Sequence, residues 1–333
     1  GGTNPYQYNI VGIGNWQSNS IFNNLTAGTY NIAIRDTNAC LDTVPVTIGQ
    51  PTPINSNATP TMPTCNGLSN GSISMNTSGG TNPYQYNIVG TGNWQSNSIF
   101  NNLTAGTYNI AVRDTNACLD TVPVTIGQPD TLIASIVNIT DVSCFGNSDG
   151  SISITANGGT NPYQYNIVGN TNWQASGTFT GLIAGSYNIA VKDTNGCTDV
   201  IFNIDIIQPD TLDASIANIN NVSCFGYSDG SISITTNGGT NPYQYSLDTN
   251  ISWQSSNIFN GLIAGNYNVT VKDTNGCIDT VNINIDQPSQ ISSNATPTMP
   301  TCNGFSNGSI SMNTSGGTNP YQYNIVGIGN WQS

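Results

Sequence analysis

Gly79-Gly80-Thr81-Asn82-Pro83-Tyr84-Gln85-Tyr86 decides the fold, because the same eight letters also begin at Gly1, Gly158, Gly238 and Gly316. The steps between copies are 78, 79, 80 and 78 residues. A period this long, with several strand-like runs inside it, makes each copy a whole small β domain rather than one coil of a solenoid. Residues 316–333 duplicate residues 1–18 letter for letter, so the sequence is expected to be a segment of a longer array. The expected division is a partial repeat over 1–51, whole repeats over 52–129, 130–209 and 210–288, and a partial repeat over 289–333.

Outward from the octapeptide, period-2 alternation marks the strands of the copy that runs from Ile54 to Pro129. Ile54–Met62 is a polar opening segment punctuated by proline. Gly71–Ser78 alternates with Ile73 and Met75 on one face, and Gly79-Gly80 with Asn82-Pro83 then turns the chain. Tyr84, Tyr86 and Ile88 alternate next, before Trp94. Ile99 and Leu103 are the expected inward residues of Ser98–Leu103. Tyr108, Ile110 and Val112 alternate in Thr107–Asp114, and Val122, Val124 and Ile126 in the last strand before Gln128-Pro129. Alternation with turn signals every 8 to 12 residues specifies an all-β fold, an Ig-like antiparallel β-sandwich of about 80 residues, repeated in tandem. Nowhere do apolar residues hold a 3.6 period over ten residues, so no helix is expected.

Composition excludes several function classes. Only 6% of the 333 residues are charged, but 15 Tyr, 8 Phe and 5 Trp recur at fixed points of the period, which a disordered chain lacks. The net charge is −13, with four cations, Arg35, Arg113, Lys192 and Lys272, one per repeat. Such a chain cannot neutralise a phosphate backbone or dock on anionic lipid, so nucleic-acid partners and direct membrane insertion are not expected. There is no His, which removes Ser-His-Asp and Cys-His chemistry and His-ligated zinc. All 17 acidic residues are Asp, so the commonest glycosidase carboxylates are missing too. No enzymatic activity, cofactor or metal is expected. No run approaches the ~20 apolar residues of a membrane span.

The eight cysteines follow the repeat. Cys65 and Cys118, Cys144 and Cys197, and Cys224 and Cys277 are each 53 positions apart, with Cys40 and Cys302 left over for partners outside the sequence. One disulfide per repeat is expected, joining the start of the Gly71-type strand to the turn after the Thr107-type strand. In the chain-entropy model a loop of that size contributes about 4 kcal/mol. Paired cysteines without C-x-x-C or His imply an oxidising space, secreted, periplasmic or surface-exposed, and the expected location is extracellular, on the cell surface. The rival pairing, Cys40–Cys65, Cys118–Cys144, Cys197–Cys224 and Cys277–Cys302, would staple neighbouring repeats. Strand parity poses a difficulty: six alternating strands return the chain to the pole of arrival, whereas a straight array needs opposite poles. A seventh strand, a crossover between sheets or a split first strand would each resolve it.

The smaller motifs read as structure. Asp-Thr-Asn-Gly-Cys (Asp193–Cys197, Asp273–Cys277) and Asp-Thr-Asn-Ala-Cys (Asp36–Cys40, Asp114–Cys118) resemble the start of a calcium loop but lack its later acidic ligands, so an Asx-type turn is expected. With Ala in two copies, any left-handed residue is expected to be the Asn. The Ser-Asp-Gly triplets at Asp149 and Asp229 become Ser-Asn-Gly at Asn70 and Asn307, again a turn. Tyr30, Tyr108, Tyr187 and Tyr267 each follow Gly-x after a Leu, as a tyrosine corner or simply as core. The cations are expected on a solvated face. Trp16, Trp94, Trp173, Trp253 and Trp331 are expected in the core or at domain junctions, with a carbohydrate-stacking platform as the other reading.

Cys-Phe-Gly-x-Ser-Asp-Gly-Ser-Ile-Ser-Ile (Cys144–Ile154, Cys224–Ile234), then Gly-Gly-Thr-Asn-Pro-Tyr-Gln-Tyr, Ala-Gly-x-Tyr-Asn and Lys-Asp-Thr-Asn-Gly-Cys, in that order, resemble the SprB repeat of giant surface adhesins in gliding Bacteroidetes. The resemblance covers essentially the whole chain. The earlier copies depart from it in Asn-Ala-Cys and Cys-Asn-Gly, changes confined to turns. It implies export by the type IX route, exposure on the cell surface and adhesion to surfaces or polysaccharides during gliding, with no catalytic residues to transfer. It also implies O-glycosylation at Asp-Ser/Thr-hydrophobic triplets, here Thr43, Thr121, Thr131, Thr211 and Thr280, mostly beside the Gln-Pro linker. The expected function is a non-enzymatic extracellular filament or adhesin stalk, with self-association into fibres as a further partner. The alternative is a multivalent carbohydrate-binding array.

Overall fold

The computed structural model describes residues 1–248 and 252–333, which form strands and loops without a helix. They divide into two compact units. One comprises Gly1–Leu132, Gly158–Asn161 and Asp193–Cys197; the other comprises Ile133–Asn157, Pro162–Lys192 and Thr198–Ser333.

The first unit opens with a three-stranded sheet of β1 (Gln7–Ile10), β2 (Gly28–Arg35) and β3 (Leu41–Ile48). A whole repeat follows: β4 (Asn55–Thr61), β5 (Gly71–Ser78), β6 (Gln85–Ile88), β7 (Ile99–Leu103), β8 (Gly106–Arg113) and β9 (Leu119–Ile126). One sheet has the order β4-β5-β7 and the other β6-β8-β9, all antiparallel. These orders are the A-B-E and C-F-G sheets of an immunoglobulin domain without its fourth strand. The inner faces meet in a core of Ile73, Met75, Tyr86, Phe100, Ile110, Val112, Val124 and Ile126. Ile73, Ile110 and Val112 are wholly buried, each stabilising by about 1.5–3 kcal/mol.

The second unit repeats this plan. Its first sandwich has β10 (Ile133–Thr140), β11 (Gly150–Asn157), β12 (Gln164–Ile167), β13 (Thr178–Leu182), β14 (Gly185–Lys192) and β15 (Thr198–Ile206). Its second has β16 (Asp213–Asn220), β17 (Gly230–Asn237), β18 (Gln244–Leu247), β19 (Ile258–Leu262), β20 (Gly265–Lys272) and β21 (Ile278–Ile285). A two-stranded sheet of β22 (Ser292–Thr298) and β23 (Ser309–Ser315) comes last.

The alternating residues expected to face inward do so in four of the five strands of the 52–129 repeat for which the sequence named them, and β7 is the exception. Ile99 is 43% exposed and Phe100 is buried in its place. A register shift between Gly71 and Ile73 re-aims this short strand, so that Phe100 and Leu103 both meet the core.

The parity difficulty is resolved between β6 and β7. After Ile88 the chain doubles back, and Gln95 makes an isolated antiparallel bridge with Tyr86. This one-residue return does the work of a seventh strand. The first and last strands of a repeat consequently run parallel. Ala134 N–H, at the start of β10, donates to Asp199 at the start of β15, and Val142 N–H, past the end of β10, donates to Ile207 O at 3.1 Å. The chain therefore arrives at one pole of each sandwich, the inlet, and leaves at the other, the outlet.

Candidate functional site

The site is the junction where one repeat hands over to the next. At the inlet pole of the 52–129 repeat lie Gly79-Gly80 and the turn Asp114–Cys118. Asp114, 5% exposed, accepts from Asn116 N–H and Cys118 N–H on Oδ1 and from Thr81 N–H on Oδ2, each at 2.9 Å. Asp36, Asp193 and Asp273 hold the equivalent turns in the same way. The Asx-type turn is thus built as expected. Its left-handed residue is not Asn, however, but Ala39 (φ 69°) and Ala117 (φ 61°), where two other copies have Gly196 and Gly276. The carboxylate fixes the Asn by its N–H, which pushes the strained conformation onto the following residue.

Donated hydrogen bonds from Thr3 N–H and Cys40 N–H hold the Asp36 carboxyl below the usual carboxylate range, against the opposing effect of burial. For Asp114, burial works upward but is outweighed by the Cys118, Thr81 and Asn116 N–H bonds, so its net shift is also downward.

Gly79 shows why the octapeptide starts with two glycines. Its φ is +71°, and a Cβ there would lie 2.0 Å from the Pro53 carbonyl oxygen. The linker crosses directly over the glycine pair, and Gly80 N–H donates to Thr52 O at 2.8 Å.

The outlet pole carries the loop between the first two strands, with Cys65, and the Gln-Pro linker. Gln128 Oε1 accepts from Gly67 N–H at 3.0 Å, and Asn66 Nδ2 donates to Pro129 O at 3.0 Å. Gln208 with Gly146 and Gln287 with Gly226 repeat the clasp. Inside the loop, Asn70 Oδ1 accepts from Thr64 N–H at 3.0 Å while its Nδ2 donates to Thr64 Oγ1. Where Asp149 replaces Asn, Ser143 replaces Thr and its hydroxyl donates to the carboxylate. That bond, with Ser143 N–H, lowers the Asp149 pKa; Ser223 does the same for Asp229. Both residue types therefore close one turn.

The disulfides follow from this polarity and correct both expected pairings. Cys65 bonds Cys197 and Cys144 bonds Cys277, 132 and 133 residues apart, each with Cα atoms 5.7 Å apart. Cys40, Cys118, Cys224 and Cys302 are free thiols. Cys65 and Cys118 cannot meet because they stand at opposite poles, about 25 Å apart for strands of eight residues, while a disulfide tolerates about 7 Å between Cα atoms. The same polarity excludes Cys118–Cys144 and its analogues. An outlet loop can reach only the inlet turn of the following repeat. Asn195 Nδ2 donates to Thr64 O at 3.2 Å beside the first staple, and Asn275 Nδ2 to Ser143 O at 2.9 Å beside the second.

The cations are not on a solvated face. Arg35, Arg113, Lys192 and Lys272 each lie over a tryptophan, Trp16, Trp94, Trp173 and Trp253, with 4.2 to 4.3 Å from the charged centre to the ring centroid. Arg113 Nε also donates to Gln85 Oε1 at 2.8 Å. These four tryptophans are half-buried, neither core nor open platform, and each has one face covered by its cation. Trp331 is 68% exposed. The tyrosine corners form as read: the hydroxyls of Tyr30, Tyr108, Tyr187 and Tyr267 donate to backbone carbonyls four residues upstream at 2.8 to 2.9 Å. Thr43, Thr121, Thr131, Thr211 and Thr280 are all exposed. Only Thr131 and Thr211 adjoin a Gln-Pro linker; Thr43, Thr121 and Thr280 lie near the start of a last strand. Among the described residues, no cluster of acidic, Cys or His side chains could hold a metal, and no helix is long and apolar enough to cross a membrane.

Fold and junction together define a tandem array of Ig-like β-sandwich repeats, in which two repeats are each stapled by disulfide to the next. The SprB repeat family model matches residues 57–92, 136–172, 216–250 and 294–330, and the chain belongs to the SprB-repeat family. The first three matches each span the first three strands of a repeat, the fourth spans β22 and β23, and all four include the loop that carries the outlet cysteine. No curated protein sequence matches the chain. Among solved structures it is similar to three N-terminal domains of the Hoc outer capsid protein of bacteriophage RB49. That likeness has 13% identity and a TM-score of 0.33, covering 69% of this chain and 94% of that one. It is also similar to Sidekick-1 immunoglobulin domains 1–5, at 11% identity and a TM-score of 0.25, over 94% of this chain and 78% of that one.

Proposed function

We propose that this chain is a non-enzymatic stretch of an extracellular repeat protein, an adhesin stalk or filament that carries load along a cell surface. The observation that carries the reading is the staple between the outlet loop of one repeat and the inlet turn of the next. A bond inside a domain protects that domain alone, whereas one across a junction also resists hinging and separation of neighbours. The clasped Gln-Pro linkers and the linker passing over Gly79-Gly80 support the same use. Disulfides call for an oxidising compartment, which agrees with export to the surface. Type IX secretion and a part in gliding adhesion rest on membership of the SprB-repeat family, as does glycosylation at the five threonines.

The test is an antibody raised against this chain, applied to intact source cells that are then assayed for attachment to polysaccharide-coated surfaces. Surface labelling, with attachment lost after protease shaving or mild reduction, is the expected result. Labelling only after lysis would overturn the proposal. Glycan binding by the purified chain that is lost in Trp94→Ala without unfolding would move the reading to a carbohydrate-binding array.

A further inference from the structure

The positive side chains of this protein are left unpaired. Arg35, Arg113, Lys192 and Lys272 share the sequence with 17 Asp, yet among the described residues none of them forms an ion pair. The Asp that follows each one, Asp36, Asp114, Asp193 and Asp273, is buried and spends its carboxylate oxygens on the N–H groups of its own turn. Successive residues of a strand point to opposite faces, so each cation and the carboxylate beside it in sequence do not meet. Nor do four cations do much to offset a net charge of −13.

Each cation is instead held in place. In the three whole repeats it lies over a Trp at 4.2 to 4.3 Å, and the strand register sets a Gln directly opposite: Gln85 with Arg113, Gln164 with Lys192, and Gln244 with Lys272. Arg113 gives one N–H to Gln85 Oε1 and keeps the rest of its fork unspent, and Gln85 keeps its Nε2 donors. The ammonium groups of Lys192 and Lys272 donate to no protein acceptor among the described residues. All three cations are half-buried, packed along part of the side chain and open to solvent on the rest. A cation fixed this way has given up much of its rotamer freedom before a ligand arrives, which lowers the cost of binding. The arrangement is present in the 130–209 and 210–288 repeats, whose inlets are stapled, so it does not depend on an unpartnered junction.

We propose that each repeat binds one carboxylate of an acidic sugar, held by the cation with the neighbouring Gln amide as a further donor. Arg113 offers a planar fork that matches a carboxylate, and Lys192 and Lys272 offer a point charge to the same group. The charge pattern selects a sparsely acidic glycan. One cation per repeat suits a polymer with an occasional uronic acid among neutral residues, whereas a densely charged chain brings more anions than a repeat can neutralise. At physiological salt the net charge of the protein is screened beyond about 8 Å, so the local cation decides. Sites that are weak singly add up along the array by multivalency. The proposal rests on the adhesin reading and names what its repeats grip along their length.

The test is retention of the whole 333-residue chain, at physiological salt, on polyacrylamide beads bearing glucuronic acid, glucose or an aspartate side chain at equal density. Retention on the glucuronide should exceed that on the glucoside by about tenfold or more, the scale of one charge-assisted hydrogen bond. Free methyl glucuronide should release the protein and methyl glucoside should not. Arg35→Gln, Arg113→Gln, Lys192→Gln and Lys272→Gln combined should abolish retention, while Arg35→Lys with Arg113→Lys, which keeps every charge, should preserve it. Trp94→Ala disturbs one site of four and should leave most of the binding. If the fourfold variant does not fold, the sugar competition on the native chain decides. Equal retention on glucuronide and glucoside, unchanged retention of a folded fourfold variant, or tighter retention on aspartate would overturn the proposal. No retention on any bead would remove the site and leave the stalk standing, because surface labelling of cells tests that reading separately.

Discussion

Replacing Cys144 and Cys277 together with Ser removes one staple and leaves every core residue in place. When the β16–β21 sandwich unfolds while its predecessor stays folded, the staple still pins Cys277 to Cys144. The unfolded segment then closes a loop of about 70 residues, and the entropy withheld from it corresponds to about 4 kcal/mol. For a sandwich of this size, a urea dependence of about 1–1.5 kcal/mol/M turns that into a midpoint lower by roughly 3 M. The assay is urea unfolding of monomeric, dilute protein followed by tryptophan fluorescence. Cys224→Ser serves as the control, because Cys224 is a free thiol in this chain and its loss should change stability by less than about 0.5 kcal/mol. Pairing within repeats would make Cys224→Ser as costly as Cys144→Ser. Equal midpoints for those two single variants would refute the polarity argument.

Three further outcomes follow from the same geometry. Ala117→Gly relieves a left-handed alanine and should stabilise its repeat by about 0.5–1 kcal/mol in chemical denaturation, while Ala111→Gly within β8 should do the reverse. A double-mutant cycle of Trp94→Ala and Arg113→Ala should show a coupling of about 0.5–1 kcal/mol, since the guanidinium lies over the ring face; additive effects would mean the stack contributes nothing. For pH, Asp36, Asp114, Asp149 and Asp229 have lowered folded-state pKa values, so the native state binds fewer protons than the unfolded one. Their contribution is present above about pH 4 and is lost as pH falls from there through the lower folded values. With neither His nor Glu in the chain, thermal stability should be flat between about pH 5 and 7, and a transition in that window would contradict this assignment.

The sandwich was legible in the sequence because alternation is a local signal. Ile110 and Val112 declare their face within four residues, and the strand limits of Gly71–Ser78 can be read directly. The turns were legible for the same reason, since Asp114 bonds the residues that follow it. What the sequence concealed was polarity. One bridge, Tyr86 to Gln95, reverses the chain without a strand-like run and so moves Cys118 to the pole opposite Cys65. A spacing of 53 letters carries no information about which end of a domain a cysteine occupies. The cation stacks left a fainter trace: Arg113 and Trp94 recur with the same period, but recurrence alone does not place one over the other.

The most direct measurement is a single cut between repeats. With a protease site inserted after Pro129, residues 1–129 and 130–333 are held together covalently only by Cys65–Cys197, since Cys144 and Cys277 both lie in the second piece. After cleavage the protein should migrate as one species without reductant and as two fragments with it. Two fragments on the non-reducing gel would show that no disulfide crosses the junction, and the account of a repeat stapled to its successor would be wrong.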